Sequence, residues 1–475
     1  MRSEAGTFRD ECGGLGTSHK WWTLAVIGSG TFMSALDTSV VNVALPIIGT
    51  TTHSPVSTIE WVILAYLITV SSSLLVFGRL ADIYGKRRIY MVGLFVFVLG
   101  SLCCGLSGKV GFLILARIAQ AVGAAMIFAL SPSLLISAFP GGERGRALGM
   151  QATMTYLGVA VGPGVGGFLT QHFGWPTIFY MNVPVGLCAI IVARKVLQPD
   201  GQGTGQPFDP VGASAMGVAL AALLFVLSKG RDLGWGHPLI AGLAALAACA
   251  AVAFVVCERR TAHPALDLRL FQNRRFSASV LAAYLCYLSS ASVSFLMPFY
   301  LLSAAGYSAS HAGLMMMSVP LGMMVLTGPS GFFSDKVGVR LPSTVGMAVM
   351  AAGLGLLGGV RLADSAGHLV GCLALVGVGA GLFTAPNNSA IMGSVPSNRQ
   401  GVAGAILAAA RTVGFASGVA LSGLIYMSFL GSHQDAGGSE RIAHAVRMGL
   451  RLMAVVAFAG AVCSAVRGQI KKTEP

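Results

Sequence analysis

The 475-residue chain is 55% hydrophobic and only 10% charged, with mean hydropathy +0.75, whereas soluble domains carry about 25% charged residues. Such a chain cannot hide its apolar surface in one water-soluble core and needs lipid as a solvent; its long continuous apolar runs, rather than alternating ones, exclude a β-barrel. The net charge of +14 falls in short clusters between these runs, which is the pattern of cytoplasmic loops and not of a nucleic-acid-binding face.

Residues 1–20 are polar and mixed in charge. The apolar run behind them is too long for the core of a signal peptide, so it is expected to stay as the first span. Apolar runs of about 20 residues predict fourteen membrane helices, near 22–46, 57–79, 88–107, 110–138, 147–170, 176–196, 210–228, 238–257, 277–303, 309–333, 341–361, 368–392, 402–429 and 446–466. An even number puts both termini on one side. With the N-terminus in the cytoplasm, 22 Lys and Arg fall in cytoplasmic segments and 7 in outer ones, which favours cytoplasmic termini. The nine cysteines have no metal-ligand spacing and read as small packing residues.

Two loops echo each other. Gly78-x-x-x-Asp82-x-x-Gly85-Lys86-Arg87-Arg88 follows the second span, and Gly331-x-x-x-Asp335-x-x-Gly338-x-Arg340 follows the tenth, 253 residues later. A second pair, Glu143–Gly149 and Asn398–Gly404, shares an Arg and a final Gly at an offset of 255. Two matching offsets imply two duplicated six-span halves, with the spans at 210–228 and 238–257 inserted between them. Repeated halves around a site near the midplane are a transporter plan. The expected organisation is a tail (1–20), a first bundle (21–198), the inserted pair with its linkers (199–275), a second bundle (276–467) and a tail (468–475).

Asp37 stands out within this apolar background. It is the one acid deep in a span, and Glu60 marks the outer mouth of the second. An ionised carboxyl at mid-membrane costs about 2.5–3.5 kcal/mol, so it faces a cavity or a partner. Burial favours its neutral form and a nearby cation the charged one. A carboxyl between these pressures could hold a proton or yield to cargo; equally, it could be a packing residue hydrogen-bonded to Ser or Thr. Arg117, in the fourth span, is the natural partner. Arg411 has no acid in its own half, which leaves bracing and substrate contact open. In the first loop Gly85 permits a tight turn, and Asp82 could cap a helix of the other half or pair with an Arg. Asp82 with Lys86 and Arg87, echoed by Asp335 and Arg340, therefore reads as a latch between halves. Gly158, Gly162, Gly166 and Gly167 line one helix face for close packing, and Pro163 allows a bend there.

In order, "LDTSVVNVALP" (36–46), the loop from Gly78 to Arg88, "RIAQAVGAA" (117–125), "GVAVGPGVGG" (158–167) and "GLFTAPNNSAIMGSVP" (381–396) resemble the motifs of the major facilitator superfamily, in particular its fourteen-span drug:proton antiporters. The resemblance implies an all-α fold of two six-helix bundles plus two inserted helices. It also implies that Arg117 gates proton access and that the 158–167 motif sets the direction of antiport. Ala121, Gly174–Thr177 and Leu302 depart from the family pattern, the last two near the outer face, which loosens any transfer of substrate preference.

No phosphate-binding loop appears, so protons are the expected coupling ion, with no other cofactor and no nucleotide. No Ser-His or metal constellation suggests an enzyme. The candidate substrate pocket takes Phe32, Met33, Glu60, Trp61, Tyr66, Gln151, Tyr284, Tyr287, Phe295, Phe383, Asn387 and Arg411. Apolar and aromatic walls suit lipophilic, amphipathic cargo. The expectation is therefore a monomeric, multi-pass protein of the cell (inner) membrane that exports drugs in exchange for protons. An exporter or importer of a dedicated metabolite or lipid-like molecule is the alternative.

Overall fold

The computed structural model describes residues 17–140, 143–197, 210–234, 236–260, 268–395, 400–430 and 438–467. Among them the chain is all helical. The helices are α1 (Thr17–Thr51), α2 (Val56–Ile59), α3 (Trp61–Tyr84), α4 (Lys86–Gly105), α5 (Val110–Ala138), α6 (Arg144–Phe173), α7 (Thr177–Tyr180), α8 (Asn182–Val196), α9 (Pro210–Leu233), α10 (Pro238–Arg260), α11 (Arg274–Pro298), α12 (Ala309–Met316), α13 (Ser318–Val337), α14 (Arg340–Leu357), α15 (Ala366–Gly393), α16 (Gln400–Leu430) and α17 (Gly438–Val466). Thirteen segments among the described residues are long and apolar enough to cross a membrane. The seventh predicted span falls on α9, which is 24 residues long but offers only Gly217–Leu227 as a qualifying apolar stretch.

Several boundaries differ from the hydropathy reading. α1 runs through Pro46 to 35 residues, because neighbouring helices tolerate a proline kink that an isolated helix would not. The second and sixth spans begin with the short turns α2 and α7. The ninth ends in a π-helical turn, Phe299–Ala304, and the tenth breaks between α12 and α13 at Met317.

The contacts repeat. α1 packs on α6, α4 on α5 and α8, and α3 on α5; α11 packs on α16, α14 on α15 and α17, and α13 on α15 in the same way. The two echoed loops share a backbone reason for their last glycine. Gly85 (φ 99°) and Gly338 (φ 86°) end α3 and α13 in conformations that residues with a Cβ rarely adopt. Their amides donate to Ala81 O (3.0 Å) and Ser334 O (2.9 Å).

Glycines also carry the repeat along α6 and α16. A Cβ at Gly158 would come within 2.5 Å of Phe32 O, and one at Gly162 within 1.8 Å of Ser39 Oγ, both on α1. The corresponding Gly414 and Gly418 would meet Tyr284 O (2.7 Å) and Leu288 O (2.3 Å) on α11. One turn on, the helix changes partner. Gly167 lies against Ala309 O of α12, and its counterpart Gly423 lies against the Glu60 carboxylate ahead of α3. All three pairs stand 256 residues apart.

These last contacts join the two sets of helices at one end. There Gly313 seats against Pro163 O, and Gln171 Oε1 accepts from the Ser310 amide at 2.9 Å. At the opposite end, which carries Thr17 and Arg467, a Cβ on Gly78, Gly149, Gly328 or Gly393 would meet nothing within 4 Å. The side chains of Asp82 and Asp335 lie outside the described residues, so the latch assigned to them does too. Arg87 reaches its own set of helices, donating from Nη2 to Arg194 O at 2.7 Å.

The inserted α9 touches both sets. It packs on α3, α16 and α10, Phe225 meets Trp61 at 5.5 Å between ring centroids, and Lys229 Nζ lies 3.1 Å from Ser57 Oγ and Thr58 Oγ1. α10 is mostly exposed to the lipid side, with 17% of its apolar window buried.

Gly167 has a backbone oxygen 2.2 Å from the place of a Cβ, so Gly167→Val should force α6 and α12 apart at the closed end. Spin labels at His172 and His311 should report a longer distance than in the parent protein. An unchanged distance would show that this seam does not hold that end shut.

Candidate functional site

Asp37 lies in the middle of α1, fully buried. Its Oδ2 accepts from Arg117 Nη1 of α5 at 2.5 Å. Its Oδ1 accepts from Gln120 Nε2 of α5 and from Asn182 Nδ2 of α8, each at 2.8 Å. Ser101 Oγ of α4 completes the cluster, accepting from Gln120 Nε2 at 2.7 Å and facing Asn182 Nδ2 at 3.4 Å. Arg117 is itself 1% exposed. It donates from Nε to Val62 O of α3 at 3.1 Å and from Nη1 to Gln120 Oε1 at 2.7 Å. The Tyr66 ring lies under its guanidinium at 4.2 Å and the Phe179 ring at 5.7 Å.

Five membrane helices thus converge on one ion pair. Close approach holds α4 and α5 together there: a Cβ on Gly100 of α4 would come within 2.6 Å of the Gln120 backbone, and one on Gly123 of α5 within 2.4 Å of Phe97 N. The chemistry follows from the donor set. Three N–H donors fill three of the carboxylate's four lone-pair sites, so an added proton takes the fourth and, by removing the charge, weakens the hold on these donors. Releasing Arg117 or Gln120 would disturb α5; releasing Asn182 would disturb α8.

The sequence-predicted pair Asp37–Arg117 is therefore brought together. Gln120, Asn182 and Ser101 were not foreseen. Their signal was present: Gln120 lies one helical turn beyond Arg117, and all three are polar residues inside apolar spans. Asp37 does not line an open space between the halves. Its partners all belong to the first set of helices, so direct engagement of cargo by this carboxylate does not fit the conformation described.

The proposed pocket divides in three. Met33, Phe295 and Phe383 are at most 1% exposed and are packing residues of the helix interiors, Met33 lying against Gly186. Tyr66 belongs to the Arg117 site. Asn387 is fully buried and accepts from Arg467 at 2.8 Å. In the conformation described these five face protein rather than open space. Glu60 and Trp61 sit at the closed end, against Gly423 and Phe225. Phe32, Gln151, Tyr284 and Tyr287 are half-buried and Arg411 is exposed. Arg411 of α16 lies near Tyr287 of α11 and Tyr156 of α6. This places a cation and two phenols from both sets of helices on one accessible face. Tyr156, 36% exposed, was missed because a single aromatic on a membrane helix carries no sign of which way it points.

The glycine motif of α6 is placed as expected for Gly158, Gly162 and Gly166, which face α1. Gly167 and Pro163 instead form the contact with α12.

Known proteins match this chain across its length. The family model described as Major Facilitator Superfamily matches residues 27–263 and 279–474. Riboflavin transporter RibZ of Clostridioides difficile is 36% identical over 84% of this chain and 87% of its own length. Multidrug resistance protein Stp of Mycobacterium tuberculosis is 31% identical over 86% of this chain and 76% of its own. The tetracenomycin C resistance and export protein of Streptomyces glaucescens is also 31% identical, over 86% and 77%. A crystal structure of a bacterial homologue of the human lysosomal transporter Spinster, inward-facing and unoccupied, superposes with a TM-score of 0.67 over 95% of this chain and 97% of that one. At 14% identity it shows the fold alone. The chain belongs to the Major Facilitator Superfamily and is a multi-pass transporter of the cell (inner) membrane, not an enzyme.

Proposed function

We propose that the protein exports lipophilic or amphipathic small molecules, drugs among them, in exchange for protons, by alternating access between two six-helix halves. The observation that carries the coupling is the buried Asp37–Arg117 pair with its all-donor shell. Protonation of Asp37 would release Arg117, and with it the contacts to Val62 and Tyr66 on α3, which borders the closed end through Glu60. The proton then acts within the first half and the cargo at a face shared by both halves, and the two meet through the helices that join them. This replaces simple competition for one carboxylate.

The charge asymmetry of the loops supports cytoplasmic termini. On that reading the halves are joined at the outer end and separate at the cytoplasmic end, and α9 supplies a fourteenth span. The relatives named as multidrug and tetracenomycin exporters support a drug-export role. A second reading has its own observation. RibZ, named as a riboflavin transporter, shares the accessible half of the problem: a planar aromatic solute would suit Arg411, Tyr287 and Tyr156. Among the described residues Arg411 has no carboxylate partner. The cleft therefore favours neutral or anionic aromatic cargo over organic dications.

Two measurements test this. In proteoliposomes with an imposed pH gradient, Asp37→Asn should lose gradient-driven transport. It should also lower thermal stability, since removing one member of a buried ion pair costs about 3–5 kcal/mol. Transport at the parent rate would end the coupling reading. Arg411→Ala with Tyr287→Phe should change the order of preference among a neutral, an anionic and a cationic dye while leaving Tm nearly unchanged. An identical order would remove these residues from the cargo site.

A further inference from the structure

Arg467 follows the last residue of α17 and, in sequence, belongs with the basic anchors of a membrane-facing tail. The structure buries it: it is 3% exposed. Nη1 donates to Asn387 Oδ1 (2.8 Å) and Ser279 Oγ (3.3 Å), and Nη2 to Val339 O (2.6 Å) and Ser343 Oγ (2.7 Å). A guanidinium has five N–H groups. Four are satisfied, all by neutral acceptors, and Nε is buried with no partner among the described residues. No carboxylate pairs with Arg467 among the described residues. Burial pushes its pKa down to about 10, which still leaves it charged at neutral pH. A buried cation without a counter-ion is costly.

A cavity of about 160 Å³ opens beside this side chain. It is also lined by Arg275, Ser279, Asn273 and Ser394. Arg275, in the first turn of α11, is exposed. Asn273 caps that helix, its Oδ1 accepting from the Arg275 and Phe276 amides, and its Nδ2 takes up the Ser394 carbonyl at the end of α15 at 3.1 Å. The carbonyl that would most repel an anion is thus already engaged. Two guanidiniums and a serine hydroxyl line a space large enough for a tetrahedral oxyanion.

We propose that this cavity binds a phosphate group, which supplies the missing counter-ion to Arg467. The site lies at the end of the helices that carries Thr17 and Arg467; an anionic lipid headgroup and soluble phosphate present the same oxyanion. Basic pockets between membrane helices are suited to anionic headgroups. Occupancy would tie the start of α11, the turn before α14 and the ends of α15 and α17 to one ligand. The site is separate from the Asp37 cluster and does not depend on what the protein carries.

The test is the Tm of purified full-length protein in nanodiscs of phosphatidylcholine, with and without phosphatidylglycerol, and in zwitterionic micelles with added inorganic phosphate. Arg467→Gln should abolish the response; because it also removes four buried hydrogen bonds, two further variants carry the decision. Arg275→Gln, at an exposed side chain, should shrink the upward Tm shift. Ser394→Asp, which places a carboxylate in the cavity, should remove the shift and make the protein in phosphatidylcholine as stable as the parent in phosphatidylglycerol. A shift with phosphatidylglycerol alone identifies a lipid headgroup; a shift with inorganic phosphate as well identifies a free oxyanion site. No shift in the parent, or an equal shift in all variants, overturns the proposal.

Discussion

A guanidinium and a carboxylate that meet inside a membrane protein set the terms for everything around them. Neither Arg117 nor Asp37 can be left alone in a low-dielectric interior, and their attraction offsets the cost of burial only when the remaining donors and acceptors are satisfied. Here that satisfaction is spread over five helices: Val62 from α3, Ser101 from α4, Gln120 from α5 and Asn182 from α8 all serve the pair on α1 and α5. The first half is therefore pinned at its centre. Motion that left this cluster intact would have to occur elsewhere.

The seams between halves offer that freedom. They are built largely on glycine: Gly167 against Ala309 O, Gly313 against Pro163 O, Gly423 against the Glu60 carboxylate. Such surfaces fit closely through small residues. The helix that packs on its own half through Gly158 and Gly162 (α6), or Gly414 and Gly418 (α16), also meets the other half, through Gly167 or Gly423. A change in the bundle centre can reach the seam along one continuous element. α9 rests on both halves through α3 and α16, so any parting of those helices must slide past Trp61 and Phe225.

Much of this was legible in the sequence, and the limits have a physical origin. Hydropathy located the helices because backbone polar groups in lipid force long apolar helices. Asp37 and Arg117 were found because a charge in such a helix has few tolerable explanations. Gly85 and Gly338 were found because the loop echo repeats a backbone conformation that favours glycine. Rotation about each helix axis was not legible. Met33, Phe295 and Phe383 were assigned to the pocket and turned out to face inward, while Tyr156 went unnoticed. An all-apolar helix has no polar face to show which side meets a neighbour. Gln120 and Asn182 were missed because neutral amides look like incidental packing residues until their partners are known. Arg467 was counted as a loop anchor because hydropathy does not see the tertiary pocket that encloses it. The repeat of Gly158, Gly162 and Gly167 in Gly414, Gly418 and Gly423 became visible only when their partners proved equivalent.

The central claim is that one buried carboxyl changes protonation as the halves change their contact. Difference infrared spectroscopy of the reconstituted protein follows the carboxyl band of Asp37 directly, with Asp37→Asn to assign it, while spin labels across the closed end report the opening. The account predicts that lowering the pH raises a protonated-carboxyl band absent from Asp37→Asn, over the same pH interval in which the labels move apart. A band that never appears, or one that rises while the label distance stays fixed, would contradict it.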